Sequence, residues 1–239
     1  IFKEKEIKEF FNYNLVNFHG SRLPLDSGGG GMSWRILRGD RIDNQLVHLI
    51  DEGIDTGPIL KNKKSIFPAS CKIPLDHEEY SKKNFKLFYE EFVKELLSGK
   101  KFILKFQSDY IGRYNSRLNT KINGWIDWDL GANDLIKFID AFDEPYIGAQ
   151  TTINNLNVRI KKAQLHSGDS SNHPYMTGLI SRHDEDWIVV STRDKEMLLI
   201  EKVLDEKNNN ILIKLKVGDR FISSPDKLFS SKKDRVKYN

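Results

Sequence analysis

The apolar positions of this chain follow two rhythms. Up to about residue 142 they recur at helical spacing, interrupted by short extended runs. From Thr151 onward they fall into brief strand-like runs separated by polar turns. In the first part, residues 3–11 predict a short helix with Ile7, Phe10 and Phe11 on one face, ended by Asn12 and Asn14. Residues 15–19 predict a buried strand that finishes in polar groups. Pro24, with its fixed φ and no N–H, forces a loop. Gly28 to Gly31 follow, and residues 32–38 predict a short helix starting at that cluster. Residues 46–50 predict a second strand, residues 51–57 a tight acidic turn, and residues 58–67 another extended run. Asp76 and Glu79 have capping-box spacing, with Asp76 as the N-cap of a helix over 78–98. Its Phe85, Phe88, Phe92 and Leu96 recur at helical intervals and predict a core-facing stripe, and Gly99 fits a C-cap.

Residues 101–124 read as an irregular arm, and residues 125–130 as the seat that fixes it to the first domain. Residues 133–142 predict a helix with Leu135, Phe138, Ile139 and Phe142 inward; Pro145 and Gly148 then break the chain as at a domain junction. Beyond this, residues 157–160, 177–181, 187–192, 197–203 and 211–217 are strand-like, with turns expected at 183–186 and 208–210. Five or six short strands predict a small barrel or open sandwich, OB-like in kind. His166, His173 and His183 lack metal-site spacing and are expected at the surface.

Composition adds boundaries. A chain of 239 residues can bury one good core and a smaller second one. The formal net charge is +4. Residues 226–239 hold five Lys/Arg and two Asp, or +3, so a basic, solvated tail accounts for most of it. The single cysteine, Cys71, excludes an internal disulfide and suits a reducing cytoplasm. No run is long and apolar enough to span a membrane, and no signal-peptide pattern is present.

The chemistry concentrates between Asn17 and Leu60. Asn17 and His19 stand two apart on a strand, so both project from one face. Asp55 lies in the turn after a neighbouring strand. A neutral His is a natural general base near pH 7. A carboxylate can orient it, and an amide N–H can stabilise a developing oxyanion. Taken singly, each has an ordinary explanation: a structural His, an Asn bracing a turn, an Asp serving a turn. The glycine cluster before a helix is a plausible anion site or a plain surface loop.

In order, the segments N-x-H-x-S-x-L-P, a Gly-rich loop and D-E-G-x-D-T-G resemble the folate-dependent formyltransferase family. The resemblance continues through Ile126-Asp127-Trp128 and Pro145-Tyr146-Ile147-Gly148-Ala149, covering roughly residues 2–158. It implies an α/β fold: a Rossmann-like formyltransferase domain over 1–110, a connecting arm and helix over 111–150, a small β domain over 151–225 and the tail 226–239. The chain opens on Ile1, and the resemblance implies that the domain's first strands lie upstream. Asn17, His19 and Asp55 match the family's catalytic Asn, His and Asp. The implied co-substrate is N10-formyltetrahydrofolate, with no metal, edged by the backbone of Val47, Leu49, Asp51, Gly53 and Asp55. Ser21, Gly29, Gly30 and Tyr146 are candidates for the acceptor, and the role of Arg22 is open.

Two features favour a dTDP- or UDP-linked amino sugar of surface-glycan (lipopolysaccharide) synthesis as acceptor. Residues 151–225 carry eleven Lys/Arg and ten Asp/Glu, a weak match to nucleic acid. The loop Ser27-Gly28-Gly29-Gly30-Gly31 and the helix after it resemble the sugar branch more than the tRNA branch. The alternatives are a methionyl-tRNA formyltransferase and a non-catalytic remnant that acts as a binding module. The expected partners are small molecules, with no membrane; a homodimer contact through the Pro145–Ala149 segment is left open, and the expected location is cytoplasmic.

Overall fold

The computed structural model describes residues 2–29, 31–108, 112–167 and 172–236. In chain order its elements are α1 (Glu4–Phe11), β1 (Val16–His19), β2 (Asp26–Gly28), α2 (Gly31–Arg38), β3 (Ile42–Leu49), β4 (Ile59–Ile66), α3 (Pro74–Leu97), β5 (Arg113–Asn115), α4 (Thr120–Asn123), α5 (Ala132–Ala141), β6 (Ala149–Ile153), β7 (Leu156–His166), β8 (Ile180–His183), β9 (Ile188–Ser191), β10 (Met197–Leu204) and α6 (Pro225–Lys233). The fold is mixed α/β. It divides into two compact units: Ile1–Gly31, Arg41–Cys71 and Asp76–Ser116 form the first, and Met32–Asp40, Lys72–Leu75 and Arg117–Asn239 the second.

In the first unit β3 is the middle strand of a three-stranded antiparallel sheet, order β1-β3-β4. Successive residues point to opposite faces, and the two faces have different chemistry. On one, Val16, Phe18, Val47 and Leu60 pack against Phe88 and Phe92 of α3. Phe18 meets these two rings edge-on at 6.3 and 5.5 Å. Each fully buried side chain of this kind stabilises by roughly 1.5–3 kcal/mol. Around this apolar centre the polar groups are paired. Lys61 Nζ lies 2.8 Å from both Glu91 and Glu95. Hydrogen bonds from Lys61 and Lys63 hold the Glu91 carboxyl down to about 2. The buried Asp43 carboxylate accepts from Ser81 Oγ at 2.9 Å and from Asn84 Nδ2 at 3.0 Å, both on α3. The opposite face carries Asn17, His19, Leu46 and His48, with Leu23, Leu46 and Ile59 as a small apolar cluster.

The second unit is built on a five-stranded antiparallel sheet, order β6-β7-β10-β9-β8. Its two edges are tied by one segment: Leu179 bridges Arg220, and Thr152 bridges Ile222. The sheet therefore curls into the small barrel expected of an OB-like module. One core joins its strands to Ile126 and Trp128 and to Leu135 and Ile139 of α5. Trp128 stacks on Phe221 with centroids 5.4 Å apart, and its Nε1–H donates to Thr151 Oγ1 at 2.9 Å.

Several expectations change. β3 begins at Ile42, four residues before the apolar run, because Asp43 and Gln45 are buried and hydrogen-bonded. α3 begins at Pro74, so Asp76 is inside the helix and not its N-cap. Proline suits that first position because a helix's first N–H has no partner. Phe88 and Phe92 of its stripe are buried, but Phe85 is 40% and Leu96 55% exposed. Phe10 of α1 likewise points outward, while Ile7 is buried. Residues 125–130, α5 and the loop through Gly148 belong to the same unit as the β module. Within 211–217 the chain makes a 3₁₀ turn at Leu212–Lys214 in place of a strand, and β6 is an unanticipated strand. The basic segment begins as the helix α6, Pro225–Lys233: Ser224 caps it with Pro225 at its first turn, and Asn123 Nδ2 donates to Ser231 O at 2.8 Å.

Candidate active site

On the face of the first sheet away from α3, register brings the polar residues together. Asn17 of β1 stands directly opposite His48 of β3, and His19 opposite Leu46. His48 is 2% exposed. Its Nδ1–H donates to the Leu49 carbonyl at 2.7 Å, which leaves Nε2 as an acceptor in the neutral ring. Asn17 Nδ2 donates to that nitrogen at 3.1 Å. This fixes the amide, because the flipped orientation would face its oxygen to a lone pair. The same Nδ2 lies 3.5 Å from Asp55 Oδ1. Asp55 Oδ2 is 3.8 Å from His19 Nε2, and Asp55 Oδ1 is 3.7 Å from His48 Nε2. A carboxylate thus sits between two imidazoles and an amide, with His19 and Asp55 about a quarter and a fifth exposed.

The turn that presents Asp55 is tightly built. Asp51 Oδ1 accepts from Gly53 N at 3.1 Å and from Thr56 Oγ1 at 2.6 Å. A Cβ on Gly57 would stand 1.8 Å from the Leu49 carbonyl oxygen, so only glycine fits there. Asp55 itself has φ of +58°, a left-handed conformation that Asp tolerates better than most residues. From the far side, Gln107 Nε2 donates to the carbonyls of Asp55 and Gly57 at 2.8 and 2.7 Å.

The structure therefore brings Asn17, His19 and Asp55 together, and it adds His48 and Gln107. His48 was visible in the sequence only as part of a strand; its signal was its place two residues from Leu46 on the face that pairs with Asn17. Gln107 carries no sequence signal, because its importance arises from where an irregular segment passes. The remaining candidates are placed as follows. Val47 is fully buried, its side chain packed with Phe88 and Phe92 of α3. The Leu49 N–H is bonded to Pro58 O at 3.0 Å and its carbonyl to His48. Asp51 and Gly53 brace the turn. Ser21 O accepts from Asn44 Nδ2 at 2.8 Å, while Ser21 Oγ and Asn44 Oδ1 are buried without a partner among the described residues. Arg22 pairs with the buried Asp26 at 2.6 Å, which gives it a loop-bracing role. Gly29 N donates to Asn115 O at 2.9 Å. Gly30 lies outside the described residues. Tyr146 lies in the second unit, 38% exposed.

In that unit Tyr146 lines a cleft of about 640 Å³ together with Arg117, Lys121, Ser33 and Phe142, and none of its lining among the described residues is acidic. The loop that carries Tyr146 is clamped by Lys161. This buried side chain lies 2.8 Å from Glu144 Oε1 and 3.8 Å from Asp143 Oδ1, and it donates to the Tyr146 carbonyl.

Residues 119–214 match the family model of the formyl transferase C-terminal domain. The methionyl-tRNA formyltransferase of Clostridium perfringens is 27% identical over 199 residues, covering 83% of this chain and 62% of that protein. Among solved structures, the N-formyltransferase of Helicobacter canadensis, in complex with folinic acid and dTDP-3-aminofucose, superposes with a TM-score of 0.62 at 19% identity, covering 79% of this chain and 66% of that one. WlaRD, a sugar 3N-formyl transferase solved in the presence of dTDP and 5-N-formyl-THF, gives 0.59 at 21% identity over 79% of this chain and 65% of that one. At these identities the structural likenesses establish a shared fold. The chain spans about three fifths of the length of the curated relatives it matches, 62% for the Clostridium protein. The chain is therefore similar to the formyltransferases in its C-terminal domain, in sequence and in fold.

Proposed function

We propose that this chain transfers a formyl group from N10-formyltetrahydrofolate to the amine of a dTDP- or UDP-linked amino sugar, in the synthesis of a surface glycan. The observation that carries the reading is the meeting of Asn17, His19 and Asp55 on one sheet face. The folate would supply the formyl carbon. His19 accepts the proton that the acceptor amine sheds as its nitrogen bonds to that carbon, and returns it to the departing folate nitrogen. Asn17 Nδ2 donates to the formyl oxygen as it gains negative charge. Asp55 stabilises the imidazolium; its 3.8 Å separation from His19 is an ion-pair distance that a bound substrate would tighten. With Val47 buried, the backbone from Asp51 to Asp55 is the part of the folate edge that faces outward.

The second unit by itself offers a cleft, the one that Tyr146 lines. Its volume lies in the usual small-molecule range of roughly 300–1,000 Å³, and Arg117 and Lys121 complement a phosphorylated ligand. The named ligands of the Helicobacter and WlaRD structures agree with it. The second reading, a methionyl-tRNA formyltransferase, is favoured by the curated relatives. The two separate in one assay. The protein is incubated with N10-formyltetrahydrofolate and either a panel of dTDP- and UDP-amino sugars or charged initiator tRNA, and mass spectrometry follows the acceptors. Formylated sugar supports the first reading. Formylated methionyl-tRNA with inert sugars replaces it with the second.

A further inference from the structure

Asp55 is held from its backbone and not by the groups it serves. Its carboxylate oxygens lie 3.8 Å from His19 and 3.7 Å from His48, beyond hydrogen-bond length, and 3.5 Å from Asn17, at the limit. The residue also has φ of +58°, a conformation from which most side chains relax. Beside the turn's own bonds through Asp51, the Gln107 amide opposes relaxation: its single nitrogen donates to the carbonyl on Asp55 and to that of Gly57, at 2.8 and 2.7 Å. These two bonds use both of its hydrogens. The segment is brought there by a reciprocal pair of bonds between Ile59 and Lys105, at 2.8 and 2.9 Å, which lays it antiparallel to the start of β4.

We propose that Gln107 is a positioning residue that sets the Asp55 carboxylate against His19. The inference rests on the role given above to Asp55, but its geometry can be tested without substrate. Four variants of the full chain are compared by NMR at one pH, reading the ¹H–¹⁵N shifts of the His19 ring. Asp55→Asn defines the shift change when the carboxylate is lost. Gln107→Met keeps the reach of the side chain and removes both donors, and its His19 shifts are expected to move towards those of Asp55→Asn. Gln107→Lys supplies donors again and should return them towards wild type. Asn84→Ala breaks part-buried hydrogen bonds to Asp43 and Ser65 in the same unit, and should leave the His19 ring unmoved. In the formyl-transfer assay Gln107→Met should lower kcat on the order of tenfold, with KM for the donor little changed. His19 shifts in Gln107→Met that stay at wild type, or move no further than in Asn84→Ala, overturn the proposal. A wild-type protein that formylates nothing removes the formyl-transfer reading and leaves the comparison of shifts to decide the role of Gln107.

Discussion

The two faces of the β1-β3-β4 sheet are made from the same strands, yet they carry opposite properties. Phe18 and Val47 point to α3 and are closed in by Phe88 and Phe92, and the ionic groups on that side are paired. One residue along each strand, Asn17 and His48 point the other way, to a cluster of imidazole, amide and carboxylate groups. One face maximises satisfied contacts. The other leaves His19 and Asp55 a quarter and a fifth exposed and 3.8 Å apart, a spacing that a ligand could complete. The lesson is that strand alternation allots stability and chemistry to different residues, so single substitutions should separate them.

The largest expected effect is on the chemical face. His19→Ala should lower the rate of formyl transfer by about 10²–10⁴-fold, the usual worth of a general base. Its unfolding midpoint should stay close to wild type, since the ring is partly exposed; a large fall in that midpoint would break the comparison. Phe88→Ala tests the other side. It empties a fully buried site and should cost about 3–5 kcal/mol of stability in a denaturant titration. Its rate, measured where the variant remains folded, should be close to wild type. His48→Phe comes next. It removes the acceptor that orients the Asn17 amide and should slow transfer by roughly ten- to a hundredfold. His48→Gln, which can place an acceptor near Nε2, should recover part of the loss, and equal losses in both variants would argue against an orienting role.

The smallest effect concerns acid. The Glu91 carboxyl is held down to about 2 by hydrogen bonds from Lys61 and Lys63, against an ordinary 4.5. A depressed folded value means that its contribution is complete above about 4.5 and is lost as pH falls towards 2. Because the side chain is 42% exposed, solvent screening limits the amount to under about 1 kcal/mol. Glu91→Gln should therefore narrow its stability gap from wild type as pH falls through that window. A gap that is constant with pH would remove the ion pair from the account.

Much of this division was legible in the sequence. The two-residue spacing of Asn17 and His19 placed both on one face, and the Phe88 and Phe92 spacing identified the side of α3 that is buried. What was hidden depended on contacts distant in sequence. The start of β3 at Ile42 fell outside the apolar run because the partners that bury Asp43, Ser81 and Asn84, lie about forty residues on, in α3. Phe85 and Leu96 share the helical rhythm of the core but are 40% and 55% exposed, and Phe85 meets only the edge of the sheet core, through the Phe18 ring at 5.7 Å. Gln107 lies in a stretch with no periodicity, and only the fold delivers it to the Asp55 turn. The run at 211–217 has strand composition, but its segment turns at Leu212–Lys214 in a 3₁₀ helix, and the edges of the barrel are joined instead by residues 220–222.

The most direct test of the central claim is a single comparison on Asp55→Asn: the initial rate of formyl transfer beside the unfolding midpoint. The substitution keeps the shape and the backbone contacts of the turn while removing the charge between His19 and His48. The account predicts a rate reduced at least about a hundredfold with a midpoint close to wild type. A variant that still transfers formyl at the wild-type rate would contradict it.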